Sequence, residues 1–131
     1  MNYLGLDDVL VIASAVLRVE PEVLMRASRI NSADSAVHAP SATFGGIEFY
    51  PGLQRKIAVL GYRLVRNHPF PDGNKRVAFL AMVEMAERNG ADWNEPANDP
   101  EGDETVEMML AAAAGAVNED VFAAWVEGRV S

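Results

Sequence analysis

Apolar residues recur at three- and four-residue intervals along most of the chain, and that spacing limits the fold more than any other feature. Leu53, Ile57, Leu60 and Leu64 are the clearest case, marking one face of a helix that begins after Pro51 and frays near Asn67, ahead of Pro69. The same reading predicts a first helix over Leu6 to Val19, with Asp7 and Asp8 at its positive end. Pro21 suits the first turn of a second helix, running to about Ile30. Asn31 or Ser32 is expected to cap a short third helix that stops before Pro40. A fifth should open near Gly73 or Asn74 and stop at Asn89-Gly90. Its unbroken apolar run, Val77 to Val83, predicts the buried centre of the domain. A sixth, about Asp103 to Ala114, carries Met108, Met109 and Leu110. A seventh opens at Asn118-Glu119-Asp120 and is expected to bury Val121, Phe122 and Trp125.

Only "TFGGIEFY" breaks the pattern. In it, Thr43, Phe44 and Ile47, Glu48, Phe49, Tyr50 flank Gly45 and Gly46, the composition of a tight hairpin turn; a plain loop is the alternative. The expectation is one all-α domain spanning residues 1–131, a compact bundle of six to seven helices with a short β-hairpin.

Composition then narrows the function. The 131 residues suffice for one core. Eleven cations against 19 acids give a net charge of −8, whereas a protein that grips a nucleic-acid backbone concentrates Lys and Arg on one face. Direct nucleic-acid binding is not expected. The only lysines are Lys56 and Lys75, and Lys75 with Arg76 suits a local pocket for a phosphate group. The absence of cysteine excludes disulfides and thiolate metal ligation. No apolar run approaches about 18 residues, and no basic segment precedes an apolar one at the N-terminus. A soluble cytoplasmic protein, with no membrane partner, is the expectation.

The polar chemistry is concentrated in "HPFPDGNKR", His68 to Arg76, directly before the apolar run. The start of a helix presents N–H groups without intrahelical partners and the positive end of the dipole, which together bind phosphate. Gly73 lets an anion approach the backbone, and Lys75 and Arg76 add full charge beside it. Asp72 would repel a bare phosphate, but it is explained if Mg²⁺ lies between carboxylate and phosphates. His68, one loop away, is suited to take a proton from an attacking hydroxyl. Taken singly, Asp72 reads as a helix cap, Asn74 as a turn residue and His68 as a surface residue. Phe70 reads as a core anchor. It is the nine-residue string at a helix entrance that points to phosphoryl or nucleotidyl transfer. The spacing is not that of a Walker loop.

The string resembles the signature of the Fic/Doc family, H-x-F-x-[DE]-[GA]-N-[GK]-R, at every specified position. With "ATFGGIEFYPG" upstream and "RNG" ending the helical continuation, the chain is similar to the death-on-curing (Doc) branch from about Leu6 to Trp125. The resemblance implies a Fic-fold helical bundle. It makes His68 the catalytic base and Asp72 the Mg²⁺ ligand, and it makes Gly73, Asn74, Lys75 and Arg76 the cradle for nucleotide phosphates. The flap, Thr43 to Tyr50, would hold the target segment in extended form. AMP-transferring relatives have Gly at the position of Lys75 and a second Arg at that of Phe79. Both departures are shared with the death-on-curing branch, which implies a toxin kinase using ATP to phosphorylate a threonine of the elongation factor that delivers aminoacyl-tRNA. The alternatives are an AMP-transferase and a non-catalytic binding relative. The inhibitory string [ST]-x-x-x-E-[GN] is absent, "AAWVEG" from Ala123 being nearest, so a cognate antitoxin protein is expected to act in trans.

Overall fold

The computed structural model describes every residue from Met1 to Ser131. Seven α-helices and one hairpin follow in the order α1 (Leu6–Leu17), α2 (Pro21–Ala27), α3 (Ile30–His38), β1 (Thr43–Phe44), β2 (Ile47–Glu48), α4 (Leu53–Asn67), α5 (Asn74–Arg88), α6 (Asp103–Ala113) and α7 (Glu119–Glu127). A 3₁₀ turn, Ala39–Ser41, leads from α3 to the hairpin. No helix is long and apolar enough to cross a membrane.

The centre is α4, not α5 as the apolar run suggested. Ile57, Leu60 and Leu64 are buried as their spacing requires, and α4 packs against α3, α5, α6, α7 and the 3₁₀ turn. In α5, Val77, Ala78, Ala81, Met82, Met85 and Ala86 face inward, while Leu80 stays 39% exposed. Seven consecutive apolar residues cover every face of a helix, and neighbours cover α5 only where α1, α4 and α6 lie against it. The helices α4 and α5 approach closely at Gly61 of α4: a Cβ there would sit 2.3 Å from the sulfur of Met82. Glycine is needed for closeness here, not for conformation.

Three helix ends differ from the expected ones. Arg18 adopts the left-handed region at φ 56° and stops α1 at Leu17, short of Val19, while Ser14 Oγ donates to the Val19 carbonyl at 2.7 Å. The second helix ends at Ala27. Neither Asn31 nor Ser32 caps α3; Arg29 holds that position without a side-chain cap, its backbone N–H donating instead to the carbonyl of Pro69 at 2.8 Å. That tertiary bond overrides the local capping preference. At α7, Asn118 does cap, accepting from the N–H of Val121 at 2.9 Å. Val121 itself is exposed, whereas Phe122 and Trp125 are buried. These two join a run of edge-on and tilted rings, Phe79–Trp93–Trp125–Phe122–Tyr62, with successive centroids 5.3 to 5.5 Å apart. The run fastens α7 and the last residues, where Val130 bridges Trp93, to the α4–α5 pair.

Two measurements test this packing. Gly61→Ala should destabilise by roughly 1–3 kcal/mol, because Met82 must shift within a filled core; urea denaturation reads it, and an unchanged midpoint would refute the close approach. Asp8 accepts from Arg88 at 2.9 Å and from the N–H of Gly5 at 2.8 Å, and these bonds, the Arg88 one foremost, hold its carboxyl below the usual carboxylate range. A depressed folded pKa stabilises above the ordinary carboxylate value, and that contribution is lost as pH falls through the depressed one. Asp8→Asn should therefore cost on the order of 1 kcal/mol near pH 7, and the gap to wild type should close in acid.

Candidate active site

The close approach of α4 and α5 brings the end of one helix and the start of the other into one corner, joined by residues 68–73. His68 follows α4 directly, its N–H donating to the Leu64 carbonyl at 3.2 Å in left-handed geometry, φ 50°. Pro69 and Phe70 then turn into the core, Phe70 being buried as an anchor should be. Asn74 closes the loop. Its Oδ1 accepts from the Phe70 N–H and its Nδ2 donates to the Phe70 carbonyl, both at 2.9 Å. The Asn74 side chain is thereby committed to the loop, and what remains for an anion is its backbone N–H.

Gly73 sits before α5 at φ 71°, a conformation that favours glycine. It is also crowded: a Cβ would lie 3.2 Å from both Leu17 and Val16 of α1. The Asp72 carboxylate accepts the Gly73 N–H at 2.8 Å. The N–H groups of Asn74, Lys75 and Arg76 have no acceptor within the protein. Lys75 and Arg76 are exposed, and neither belongs to an ion pair.

These groups form one wall of a cleft of about 520 Å³. Asp72, Gly73, Lys75 and Arg76 line it; His68 does not, standing exposed at the end of α4. The opposite walls escaped sequence reasoning. Val16 and Leu17 come from α1, and Thr105, Val106, Met109 and Leu110 from α6. Val106 and Leu110 remain exposed because they look into this cleft and not into the core. Phe79 lines the cleft as well, stacked edge-on against Trp93. Glu95 stiffens the far lip, accepting from Trp93 Nε1 at 2.6 Å and from the buried Thr105 hydroxyl at 2.9 Å. A cleft with free N–H groups and two cations on one side and apolar walls on the other suits a nucleotide: phosphates on the first, base on the second.

A fit for Mg²⁺ rests on Asp72 alone, because no group of three or more potential metal ligands occurs in the structure. One carboxylate is a weak cage by itself. It matches an ion whose remaining ligands are phosphate oxygens and water.

The hairpin forms as its glycines predict. Thr43 pairs with Glu48 and Phe44 with Ile47, across Gly45 (φ 59°) and Gly46 (φ 81°), two positive φ values in succession as a type I′ turn requires. Phe49 extends it by one bond to Ala42, at 3.1 Å. Its base is pinned by residues not recognised beforehand. Lys56, 1% exposed, donates to the Pro40 carbonyl and pairs with Glu48, both at 3.1 Å. The Tyr50 hydroxyl accepts from Arg63 at 2.9 Å, and Arg63 is bound in turn to Glu119 of α7. Beyond that base, Phe44 is 79% and Ile47 74% exposed, with both strands free on their outer edges. Such an edge accepts a further extended strand.

Residues 3–86 match the model of the family described as Fic/DOC family, a span that ends inside α5. The chain is also 33% identical to a protein of Mycolicibacterium smegmatis named Toxin Doc, over 127 residues that cover 97% of this chain and 92% of that protein.

Replacing Asn74 tests whether the corner depends on its side chain. Asn74→Ala leaves the buried Phe70 N–H and carbonyl unpaired, each at a cost of about 1–3 kcal/mol. The expected result is a lower melting temperature together with lost nucleotide binding. Asn74→Asp, which retains only the acceptor, should fall between. Wild-type stability in Asn74→Ala would show that the loop closes without it.

Proposed function

The chain belongs to the Fic/DOC family, and on that premise we propose that it is a Doc-like toxin kinase, transferring the γ-phosphoryl group of ATP to a hydroxyl of a target protein. The observation that carries the reading is the start of α5: three N–H groups without acceptors, beside two unpaired cations, on the wall of a nucleotide-sized cleft.

In this mechanism the N–H groups and Lys75 and Arg76 hold the phosphate chain, and the apolar walls from α1 and α6 hold the base. Asp72 would hold Mg²⁺, which supplies charge neutralisation at the phosphates when bound. The target segment lies against the free edge of the hairpin, which presents its hydroxyl to His68. The hydroxyl oxygen bonds to the γ-phosphorus as the bond from that phosphorus to the β-bridging oxygen breaks. ADP leaves with the electron pair, and His68 takes the hydroxyl proton. No nucleic acid enters the scheme. Phosphoryl transfer is favoured over AMP transfer by Lys75, whose side chain occupies the phosphate side of the cleft. It is favoured too by Phe79, whose ring is stacked on Trp93 where AMP-transferring relatives have a second Arg. The resemblance to the death-on-curing branch and the relative named Toxin Doc support a threonine of the aminoacyl-tRNA-delivering elongation factor as acceptor. They also support a separate antitoxin as inhibitor and the cytoplasm as the place of action.

Incubation of the protein with that elongation factor and either γ-labelled or α-labelled ATP tests the reading. Label should pass from γ-labelled ATP alone, and His68→Ala should slow transfer by about 10²–10⁴-fold without changing ATP affinity. Transfer of α-label would establish AMP transfer instead, and transfer of neither would remove the kinase reading.

A further inference from the structure

Three consecutive carbonyls where α4 ends converge on a single residue of another element. The Arg29 guanidinium donates to the carbonyl of Asn67 at 3.0 Å and to that of His68, and the Arg29 backbone N–H donates to the carbonyl of Pro69 at 2.8 Å. We propose that Arg29 is a positioning residue for His68, fixing where the imidazole stands by holding the backbone on both sides of it. The proposal rests on the reading of His68 as the base.

The His68 ring has no such support of its own. It is exposed and makes no hydrogen bond to the protein, so its position is inherited from its backbone. That backbone is left-handed (φ 50°, ψ 55°), a region that residues with a Cβ enter only where surrounding contacts require it. Behind His68, its N–H is tied to Leu64. Ahead of it, Arg29 supplies the ties, capturing the carbonyls of His68 and Pro69 in one grip. The carbonyls at a helix C-terminus are the negative end of its dipole, so a cation is electrostatically suited to gather them. A second bond from the same platform, Asn67 Nδ2 to the Ser32 carbonyl at 3.0 Å, joins the first turn of α3 to the last residue of α4. Without the guanidinium, the carbonyls of Asn67 and His68 turn to water, and His68 is free to relax out of the left-handed region. That relaxation would move its side chain out of its present position at the end of α4. Arg29 does not line the cleft, so nucleotide binding does not depend on it.

The rival role is purely structural, a cap on α4 that adds stability and nothing more. Two readouts separate the roles, one of them independent of activity. The chain has two histidines, His38 and His68, so each imidazole is resolved in an NMR spectrum. In Arg29→Ala the His68 resonance should shift and broaden while that of His38 stays in place. In the transfer assay with γ-labelled ATP and the elongation factor, Arg29→Ala should lower kcat on the order of 10- to 10²-fold, with the KM for ATP unchanged. In a His68→Ala background the same substitution should cost nothing further, because the two residues act through one group. Arg29→Lys, which keeps the charge but has no planar fork, should give an intermediate rate; if Arg29→Ala does not fold, Arg29→Lys carries both readouts. An unmoved His68 resonance overturns the proposal, as does an equal loss of kcat with and without His68. If His68→Ala transfers at the wild-type rate, or the wild type itself transfers nothing, the base reading is what fails. The resonance then still decides whether Arg29 holds the imidazole.

Discussion

The site depends on two helices lying closer together than side chains ordinarily permit. Gly61 lets Met82 fill the space its own side chain would take, and α4 and α5 then converge. The consequence lies about two helical turns away, where six residues suffice to turn from the C-terminus of one helix to the N-terminus of the other. The two ends of that turn are treated in opposite ways. The carbonyls that finish α4 are claimed by the protein, through Arg29, while the N–H groups that begin α5 are left for something else. A helix N-terminus without internal acceptors, beside two unpaired cations in an otherwise acidic chain, concentrates positive potential at one place. One end is closed by the protein and the other is open to solvent.

Three polar side chains are buried, and each fastens a segment that would otherwise move. Asn74 closes the loop between α4 and α5, Lys56 ties down the hairpin, and Thr105 braces the lip of the cleft through Glu95. Each is satisfied by named partners, the condition under which burying a polar group specifies structure and does not merely cost stability. None belongs to the helical periodicity. They mark where the regular bundle stops and the parts around the cleft begin.

Sequence legibility followed the range of the interactions. The helix α4 was legible because its four-leucine-type spacing and its burial are the same fact; the hairpin was legible because Gly45 and Gly46 alone admit its turn. The loop from His68 to Arg76 was legible as a unit for the opposite reason, its composition being unlike the rest of the chain. What was not legible came from partners distant in sequence. The start of α3 is set by Pro69 and not by Asn31 or Ser32. The exposure of Leu80 depends on where α1 and α6 stop covering α5, and that of Val106 and Leu110 on a cleft that local pattern cannot announce. The burial of Lys56 is not legible either, because its partners, the Pro40 carbonyl and Glu48, belong to other elements. The resemblance puts Asn74 in a phosphate cradle, whereas its side chain is engaged in closing the loop at Phe70.

The burial of Lys56 has a chemical corollary. With one of only two lysines enclosed, Lys75 is the sole side-chain amine open to solvent, and it stands on the cleft wall. Apart from the terminal amine of Met1, an acylating or reductive-alkylating reagent meets one nucleophile, and it meets it inside the proposed phosphate site. The molecule therefore carries its own address for covalent labelling: a fluorophore, a spin label or a cross-linker can be directed to the cleft with no engineered residue.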